Sequence, residues 1–526
     1  MNACAALIEA VEALHAVNST SDVRAAANKF LVEFMMDPSA PAAAEAILAT
    51  GTHSEPVLTF AASLFGRAAV TMGAPAIQSL LGYCAGLTCR SAVASLAGAL
   101  ARVVCANRME AVLLSSTDFS RLRPSRQVMV LQALADTLEE QASAEELMAR
   151  PSVVEASCVA ASLLEHTLLS ADSTVDSEAA LRCLRSWTGC GIGYATLIVR
   201  HELHCALLRA MMCQQGANGS HLPHAALAAG VIRSSLQASL ELGDELGAEA
   251  CEPIQQALSE WAPRVESLGA PCPDAAGQAS DGSEIAGELA STLCGIAGLC
   301  LEIGAEGGTL DEGEGDEECG SAGKPPSSIR PTLDLLMNGS RHPLPVAAEV
   351  AAEGWINLGA VWPASNRQPV GGPPGGDWRK ALWLHVAQRT IARASLAQRR
   401  QGTGEDVDDV LAWRERCATP LLSTCSEQLG ASAWLATLLP SLRAAVHSSP
   451  SDLEGLEALL YAAACTSPRC GTPADANDPL RAASAEVASI AAEVHAFYEA
   501  SPPAASDALS SAVASQAAAC ARTFGS

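Results

Sequence analysis

The sequence is poor in aromatic residues and in charge. Phe, Trp and Tyr make up 4% of the 526 residues, and Asp, Glu, Lys and Arg together make up 17%. The apolar fraction is nevertheless 49%. The apolar material is therefore mostly Ala and Leu, which favour helix because their side chains lose little entropy there. This composition predicts helices and supplies enough apolar surface for a large core.

Positive charge is especially scarce. The chain has 32 Lys and Arg against 58 Asp and Glu, a net charge of −26. Lysine occurs only at Lys29, Lys324 and Lys380. A field of this sign repels the phosphate backbone of nucleic acid and attracts basic partners. We therefore expect no direct nucleic-acid ligand.

Paired cysteines and targeting segments are also missing. The nineteen cysteines contain no C-x-x-C pair, which predicts free thiols in a reducing compartment. Residues 1–10 carry Glu9 and no basic start, so we expect no signal peptide. Residues 68–89 are uncharged for long enough to span a bilayer, but Pro75 and Gly82 interrupt them. We expect a helix-turn-helix there and no membrane insertion.

No stretch alternates apolar and polar residues as a strand does. Apolar residues recur instead at helical spacing, as in Leu7, Val11 and Leu14 or Val93, Leu96 and Leu100. The runs come in pairs roughly 35 to 60 residues apart, which brackets the HEAT and armadillo length. One such pair cannot bury its apolar face alone and must stack on its neighbours. The sequence predicts an all-α, HEAT/armadillo-like α-α superhelix, or solenoid.

Residues that could carry chemistry do not form a known motif. His201, His204, Cys205 and His224 permit a zinc hypothesis, but the metalloprotease helix needs two His at i and i+4. The i, i+3 spacing found here favours ordinary polar residues on a helix face. No G-x-S-x-G or H-R-D motif occurs. We predict no enzyme and no catalytic, cofactor-binding or metal residues, with a zinc enzyme as the weaker alternative.

Two stretches collect carboxylates that are candidates for binding a partner. Residues 304–328 mix acidic residues with Gly and Pro, a composition too polar to pack, and we predict an acidic disordered loop. A second stretch, residues 405–409, precedes an amphipathic helix. The candidates are Glu312, Glu314, Asp316, Glu317, Glu405, Asp406, Asp408 and Asp409. The alternative is a solvated surface without a partner. Residues 363–377, rich in Gly and Pro, predict a second flexible loop.

The tryptophans lie at helical spacing beside Leu and Ala. This pattern predicts core wedges between repeats rather than ligand sites. The residues concerned are Trp187, Trp355, Trp378, Trp383, Trp413 and Trp434.

Several short blocks, taken in order, resemble the transportin-SR and importin-thirteen branch of the importin-β (karyopherin) superfamily. The blocks are Val11–His15, Arg24–Leu31, Phe60–Leu64, Cys183–Trp187, His342–Pro343, Glu349–Val350, Trp355–Gly359 and Asp408–Arg414. The resemblance implies about twenty repeats over nearly twice this length, so we expect the chain to correspond to the N-terminal half of such a receptor or to be a short homologue of it.

The resemblance implies a nuclear transport receptor that shuttles between nucleus and cytoplasm. Residues 1–110 would be importin N-terminal-like repeats that bind Ran-GTP, residues 111–303 exportin-1/importin-β-like repeats, and residues 329–526 further HEAT repeats. Cargo would be basic or SR-rich proteins, and phenylalanine-repeat nucleoporins would bind between outer helices. Import is expected, although this branch also contains exporters. The alternative is a HEAT or armadillo scaffold or adaptor without Ran dependence.

Overall fold

The structure, a computed structural model, describes most of the chain. The described residues are 3–170, 174–190, 193–212, 222–242, 248–268, 281–306, 325–326, 329–362, 377–395, 411–447, 453–466, 479–500 and 508–524. Every regular element in these ranges is a helix. The contacts divide the chain into two compact units: unit 1 is Met1–Met211 with Gly230–Asp244, and unit 2 is Met212–Ala229 with Glu245–Ser526.

Unit 1 is built from helices that follow one another closely along the chain. Its helices are α1 Ala3–His15, α2 Ser21–Phe34, α3 Ala40–Thr50, α4 Glu55–Met72, α5 Ile77–Gly86, α6 Arg90–Ala106, α7 Glu110–Leu114, α8 Thr117–Ser120, α9 Pro124–Gln141, α10 Ala144–Met148, α11 Pro151–Ser170, α12 Thr174–Gly189, α13 Tyr194–Val199 and α14 His201–Met212. Helix α15, Leu222–Leu242, contributes residues to both units.

Packing in unit 1 runs from each helix pair to the next. Helix α3 packs on α4 and α5 on α6, while α4 packs on α6, α6 on α9 and α9 on α12. Helices α4, α6, α9 and α12, each the second helix of its pair, therefore lie next to one another in one layer. Leu96, Leu100 and Val104 of α6 are almost completely buried within this packing. Each pair thus buries its apolar face against the next pair, as a solenoid requires.

Unit 2 follows the same scheme. Its further helices are α16 Ala248–Trp261, α17 Asp281–Glu306, α18 Arg330–Gly339, α19 Pro345–Val361, α20 Asp377–Ala394, α21 Thr419–Leu429, α22 Ala431–His447, α23 Leu453–Ala464, α24 Pro479–Ala500 and α25 Ala508–Phe524. Helix α17 packs on α19, α19 on α21, α22 on α24 and α23 on α25. The protein is an all-α, HEAT/armadillo-like solenoid by class, and this prediction is confirmed.

Local sequence sets several helix ends. Pro124 and Pro345 begin α9 and α19, at the first helical position where the missing N–H costs nothing. Gly51 ends α3 with a φ of 63°, a left-handed conformation that glycine adopts without strain. Residues 68–89 form the end of α4, a 3-10 turn at Ala74–Ala76 and α5, which is the helix-turn-helix predicted.

Some helices are apolar enough to raise the question of a membrane. By length and composition alone, Pro151–Ser170 and Glu284–Ala305 could each cross a bilayer, as could the bent pair Leu411–Leu429 and Ala431–Val446 if it is one span. The second of these is 78% buried inside the protein, where α16, α18 and α19 pack on it. Burial within the fold accounts for its apolar character. The absence of membrane insertion stays a prediction.

Two glycines test how closely the second helices approach. A Cβ added to Gly66 of α4 would lie 2.8 Å from Cβ of Ala99 in α6, whereas one added to Gly82 of α5 meets nothing within 4 Å. Alanine improves helix propensity equally at both sites. We expect Gly82→Ala to raise the free energy of unfolding by about 0.5–1 kcal/mol. The free energy of unfolding of Gly66→Ala should be about 1–3 kcal/mol lower than that of Gly82→Ala, because the added methyl group overpacks the contact with Ala99. Denaturant unfolding followed by circular dichroism measures both; equal stabilisation would contradict the close approach.

Candidate functional site

The layer of second helices in unit 1 leaves one side open to solvent. On each of α4, α6, α9 and α12 the residues that are not buried recur about every four positions and so form a single strip along the helix. Because these four helices are successive neighbours, their strips join into one surface. We call this surface the second-helix face.

The first part of the second-helix face, on α4 and α6, carries small polar side chains. The hydroxyl of Thr59 is hydrogen-bonded to that of Ser91 at 2.9 Å, and the hydroxyl of Ser63 to that of Ser95 at 3.0 Å. Ser91 also donates to a carboxylate oxygen of Glu55 at 2.6 Å. The same strips also carry the exposed Arg67 and Arg102.

The second part of the face, on α9, is acidic. Asp136, Glu139 and Glu140 are all exposed there. The amide of Gln132 donates to Asp136 at 2.6 Å and to the Ser186 hydroxyl of α12 at 2.7 Å, which holds the two strips together. Sequence reasoning missed these carboxylates. Their signal was the i, i+3, i+4 spacing on the side of α9 opposite its buried leucines.

A recurring contact joins successive helix pairs: a side chain from one helix donates to carbonyl oxygens at the end of an earlier helix. Such carbonyls have no partner within their own helix. In unit 1, Arg126 of α9 donates to Leu87 O just past α5 at 3.1 Å. In unit 2, Asn338 donates to Ala262 O at 2.8 Å, and Gln428 to Gly359 O at 2.8 Å.

Among the helix ends that the structure describes, the end of α18 has the most such donors. Arg389 Nη1 donates to Met337 O at 3.0 Å, and Arg393 Nη1 donates to Ser340 O at 3.1 Å and to His342 O at 2.8 Å. Both arginines belong to α20. A cation at a helix C-terminus is also favoured by the helix dipole. Scarce positive charge is thus used to join helices.

Several residues of the family-like blocks make contacts between helices. Trp187 is completely buried, and its Nε1 donates to Leu131 O of α9 at 3.1 Å. Trp355 packs edge-on against Trp383 with 5.8 Å between ring centroids. Glu349 accepts from Arg416 at 2.9 Å. The resemblance therefore falls on residues with structural roles between helices.

His342 is a further member of these blocks and is fully buried. Its Nε2 donates to Leu268 O at 2.6 Å, and its Nδ1 accepts from Leu344 N at 3.1 Å. One neutral tautomer satisfies both bonds. Burial lowers the pKa of His342, against the opposing effect of its backbone hydrogen bonds.

Arg414, the last residue of the final family-like block, forms a buried ion pair. Its Nη1 and Nη2 atoms each lie 2.6 Å from a carboxylate oxygen of Glu457, and its Nε donates to Ala394 O at 2.8 Å. It begins a π-helical turn, Arg414–Ala418, and Tyr461 donates to its carbonyl at 3.1 Å. The arginine therefore ties α20, α21 and α23 together. The sequence gives no sign of its partner, which lies 43 residues away.

The tryptophans are core residues, as predicted, with one partial exception. Trp187, Trp355, Trp383, Trp413 and Trp434 are buried. Trp378 is half-buried and lies against Trp362 at 5.5 Å between centroids.

The eight candidate partner-binding carboxylates lie outside the described residues. They are Glu312, Glu314, Asp316, Glu317, Glu405, Asp406, Asp408 and Asp409. Most of the predicted loops 304–328 and 363–377 lie outside them too, although α17 continues to Glu306 and α20 begins at Asp377. Their roles stay predictions.

The zinc hypothesis finds no geometry in the described part of the chain. His204 is buried, and its Nε2 is 2.5 Å from the Tyr194 hydroxyl; burial lowers its pKa. His201 is exposed, with its Nε2 3.7 Å from Sγ of Cys205. Within the described residues, no three His, Cys, Asp or Glu side chains are placed to hold a metal ion.

The described cysteines are free thiols. Burial raises the pKa of Cys84, Cys105 and Cys190 to about 12. Such thiols stay protonated near neutral pH and behave as small apolar residues.

Comparison with known proteins assigns no family. No family model and no curated protein matches the sequence. Solved structures that match include one that concerns the interaction between cadherin and β-catenin, with 12% identity, a TM-score of 0.37 and 99% of each chain covered. A structure that describes Kap95p binding to RanGDP has 12% identity and a TM-score of 0.34, and the match covers 98% of this chain and 78% of that one. A structure of importin beta has 13% identity and a TM-score of 0.33, and the match covers 98% of this chain and 76% of that one.

At these identities and TM-scores the matches carry no functional assignment. The class of the protein follows from its own helix packing: it is an α-helical repeat protein whose candidate site is an open surface across successive repeats.

Removing one partner of the buried ion pair tests its role. Glu457→Gln leaves the Arg414 charge buried and unpaired, so we expect a loss of about 3–5 kcal/mol in the free energy of unfolding. The matched control, Glu486→Gln, removes the partner of Arg443 in a pair whose side chains are 53% and 36% exposed, and should cost less than about 1 kcal/mol. Denaturant unfolding measures both. Similar losses would show that burial of the pair does not matter.

His342 predicts a pH effect on stability. Its pKa in the folded chain lies below the ordinary 6.5, so below pH 6.5 the unfolded chain binds more protons and stability falls as pH falls. We expect His342→Gln to be less stable than wild type at pH 7.5 and to lose less stability between pH 6.5 and pH 5. The exposed His15→Gln should retain the wild-type profile. Parallel pH profiles for wild type and His342→Gln would contradict the role given to His342.

Proposed function

We propose that the protein is a transport receptor of the importin type, which binds Ran-GTP and carries basic or SR-rich cargo proteins between cytoplasm and nucleus. The observation that carries the proposal is the second-helix face, an open surface that continues over α4, α6, α9 and α12. A surface of this length suits recognition of another folded protein better than a small molecule.

The first part of the second-helix face is the proposed Ran-GTP site. It falls within residues 1–110, the range that the family resemblance gives to Ran. Thr59, Ser63, Ser91 and Ser95 supply hydroxyls there. Short side chains allow the partner's backbone to approach, and hydroxyls can donate or accept as the partner requires.

The acidic part of the face, with Asp136, Glu139 and Glu140, suits basic cargo. The net charge of −26 adds a long-range attraction that speeds encounter with Arg-rich proteins. The eight carboxylates proposed from sequence would extend this acidic character. Proximity of the two parts on one face allows cargo and Ran-GTP to exclude each other, so that Ran-GTP in the nucleus releases imported cargo.

The second candidate is a scaffold or adaptor of the same fold. The second-helix face favours it equally, because an open protein-binding surface needs no nucleotide. The two functions differ in one observable: only the receptor changes its affinity for cargo when Ran-GTP is added.

Pull-down with Ran loaded with GTP or GDP tests the proposal. We expect retention of the GTP form over the GDP form, and release of a bound Arg-Ser-rich peptide when Ran-GTP is added. Ser63→Arg on the second-helix face should weaken Ran-GTP binding on the order of tenfold, by steric exclusion at the interface. The matched control is Ser79→Arg, which places the same side chain on the exposed side of α5.

Equal retention of both nucleotide forms, or of neither, would end the receptor proposal. Peptide binding that persists unchanged with Ran-GTP would support the scaffold instead. If Ser79→Arg weakens Ran-GTP binding as much as Ser63→Arg, the Ran site lies elsewhere.

A further inference from the structure

Positive side chains gather at one place in unit 2, where arginines of α20 reach the end of α18. Arg389 and His385 lie on α20, one turn apart, and Arg389 Nε donates to His385 Nε2 at 2.9 Å. Arg341 follows α18, and its nearest Nη1 lies 3.7 Å from Glu266 Oε2, a loose contact rather than a hydrogen bond. We call Arg341, His385 and Arg389 the basic cluster.

The members of the basic cluster repel one another. Burial and the charges of Arg389 and Arg341 lower the pKa of His385, and burial and Arg341 lower the pKa of Arg389. From the packed elements, the other charged groups are Glu266, which acts on Arg389, and Arg393; the charges of both also affect the buried His342. One half-exposed carboxylate therefore faces the guanidinium groups of Arg341 and Arg389, so the cluster keeps a net positive charge.

Donor atoms of the basic cluster point to an anion. Arg389 uses Nη1 for Met337 O and Nε for His385, while its Nη2 and the Nε and Nη2 of Arg341 make no hydrogen bond to the described residues. His385 and Arg341 are exposed and Arg389 is half-buried. Guanidinium groups bind carboxylates through paired hydrogen bonds that are shorter and stronger than neutral ones.

We propose that Arg341, His385 and Arg389 form a binding site for a carboxylate-rich segment of a partner protein. The net charge of −26 opposes long polyanions such as nucleic acid, whereas a short acidic segment can reach a local positive group within a Debye length. The site is an open surface, which suits a peptide segment. It is opposite in sign to the acidic part of the second-helix face and does not depend on Ran or on basic cargo.

Binding by this site follows the protonation of His385. Neutral His385 accepts from Arg389, whereas protonated His385 has two donors and adds a third positive charge to the cluster. A bound carboxylate favours that protonated form. The pKa of His385 lies below the ordinary 6.5, so affinity for an acidic segment increases as pH falls below about 6.5, in a range where Glu is still mostly ionised.

Fluorescence anisotropy with the full chain and a labelled hexaglutamate peptide tests the proposal, with hexaglutamine as the uncharged probe. We expect hexaglutamate to bind and hexaglutamine not to bind. Arg341→Gln should weaken the binding of hexaglutamate about tenfold. The control Arg330→Gln removes an exposed arginine from the other end of α18 and should leave affinity unchanged. Glu266→Gln, which removes the facing carboxylate, should strengthen binding several-fold. His385→Gln should abolish the pH dependence.

The gain with Glu266→Gln separates a binding role from a structural one, because a merely destabilised fold would not bind more tightly. Equal affinity of wild type and Arg341→Gln, an equal loss with Arg330→Gln, or weaker binding with Glu266→Gln would overturn the proposal. Hexaglutamate binding that begins only after the carboxylates between Glu312 and Glu318 are changed to amides would assign the site to the chain's own acidic stretch. That result would also contradict the proposal that a separate partner protein binds here.

Discussion

The fold depends on satisfying the carbonyl oxygens at helix ends. A chain of many short helices has many such oxygens, and each buried one without a donor destabilises the fold. Side chains of later helices supply the donors: Arg126 past α5, Asn338 past α16, Arg389 and Arg393 at α18, and Arg414 at α20. These bonds are directional, so they fix the placement of successive helices in a way that Ala and Leu packing alone does not.

This use of arginine explains how a strongly acidic protein distributes its few cations. Arg414 is committed to Glu457 and Ala394 in the core, and Arg393 to the end of α18. Arg341 and Arg389 together carry more positive charge than Glu266 neutralises, and with His385 they form the basic cluster at the surface. The second-helix face has the other sign, with Asp136, Glu139 and Glu140 exposed on α9. Opposite local charges on one chain allow partners of opposite character.

The helices and their buried faces could be read from the sequence, because the period of 3.6 places Leu7 and Val11, or Leu96 and Leu100, on one side. Tryptophan burial followed from the same pattern, and Trp187, Trp355 and Trp434 lie in the core. Short helices such as α7 and α8 were missed, since four or five residues show no period. The candidate carboxylates proposed from composition, including Glu312 and Asp408, lie outside the described residues, and the acidic strip on α9 was overlooked.

The sequence by itself determined the class of the protein: apolar residues at helical spacing, with no alternating runs, allow only stacked helix pairs. It also determined the sign of the long-range field. Only the tertiary structure decided which polar residues meet, because Arg414 and Glu457, or Thr59 and Ser91, come from separate helices. Local periodicity specifies which side of a helix is buried, but not the register in which that side packs against the next helix. That register brings Arg341, His385 and Arg389 to one place.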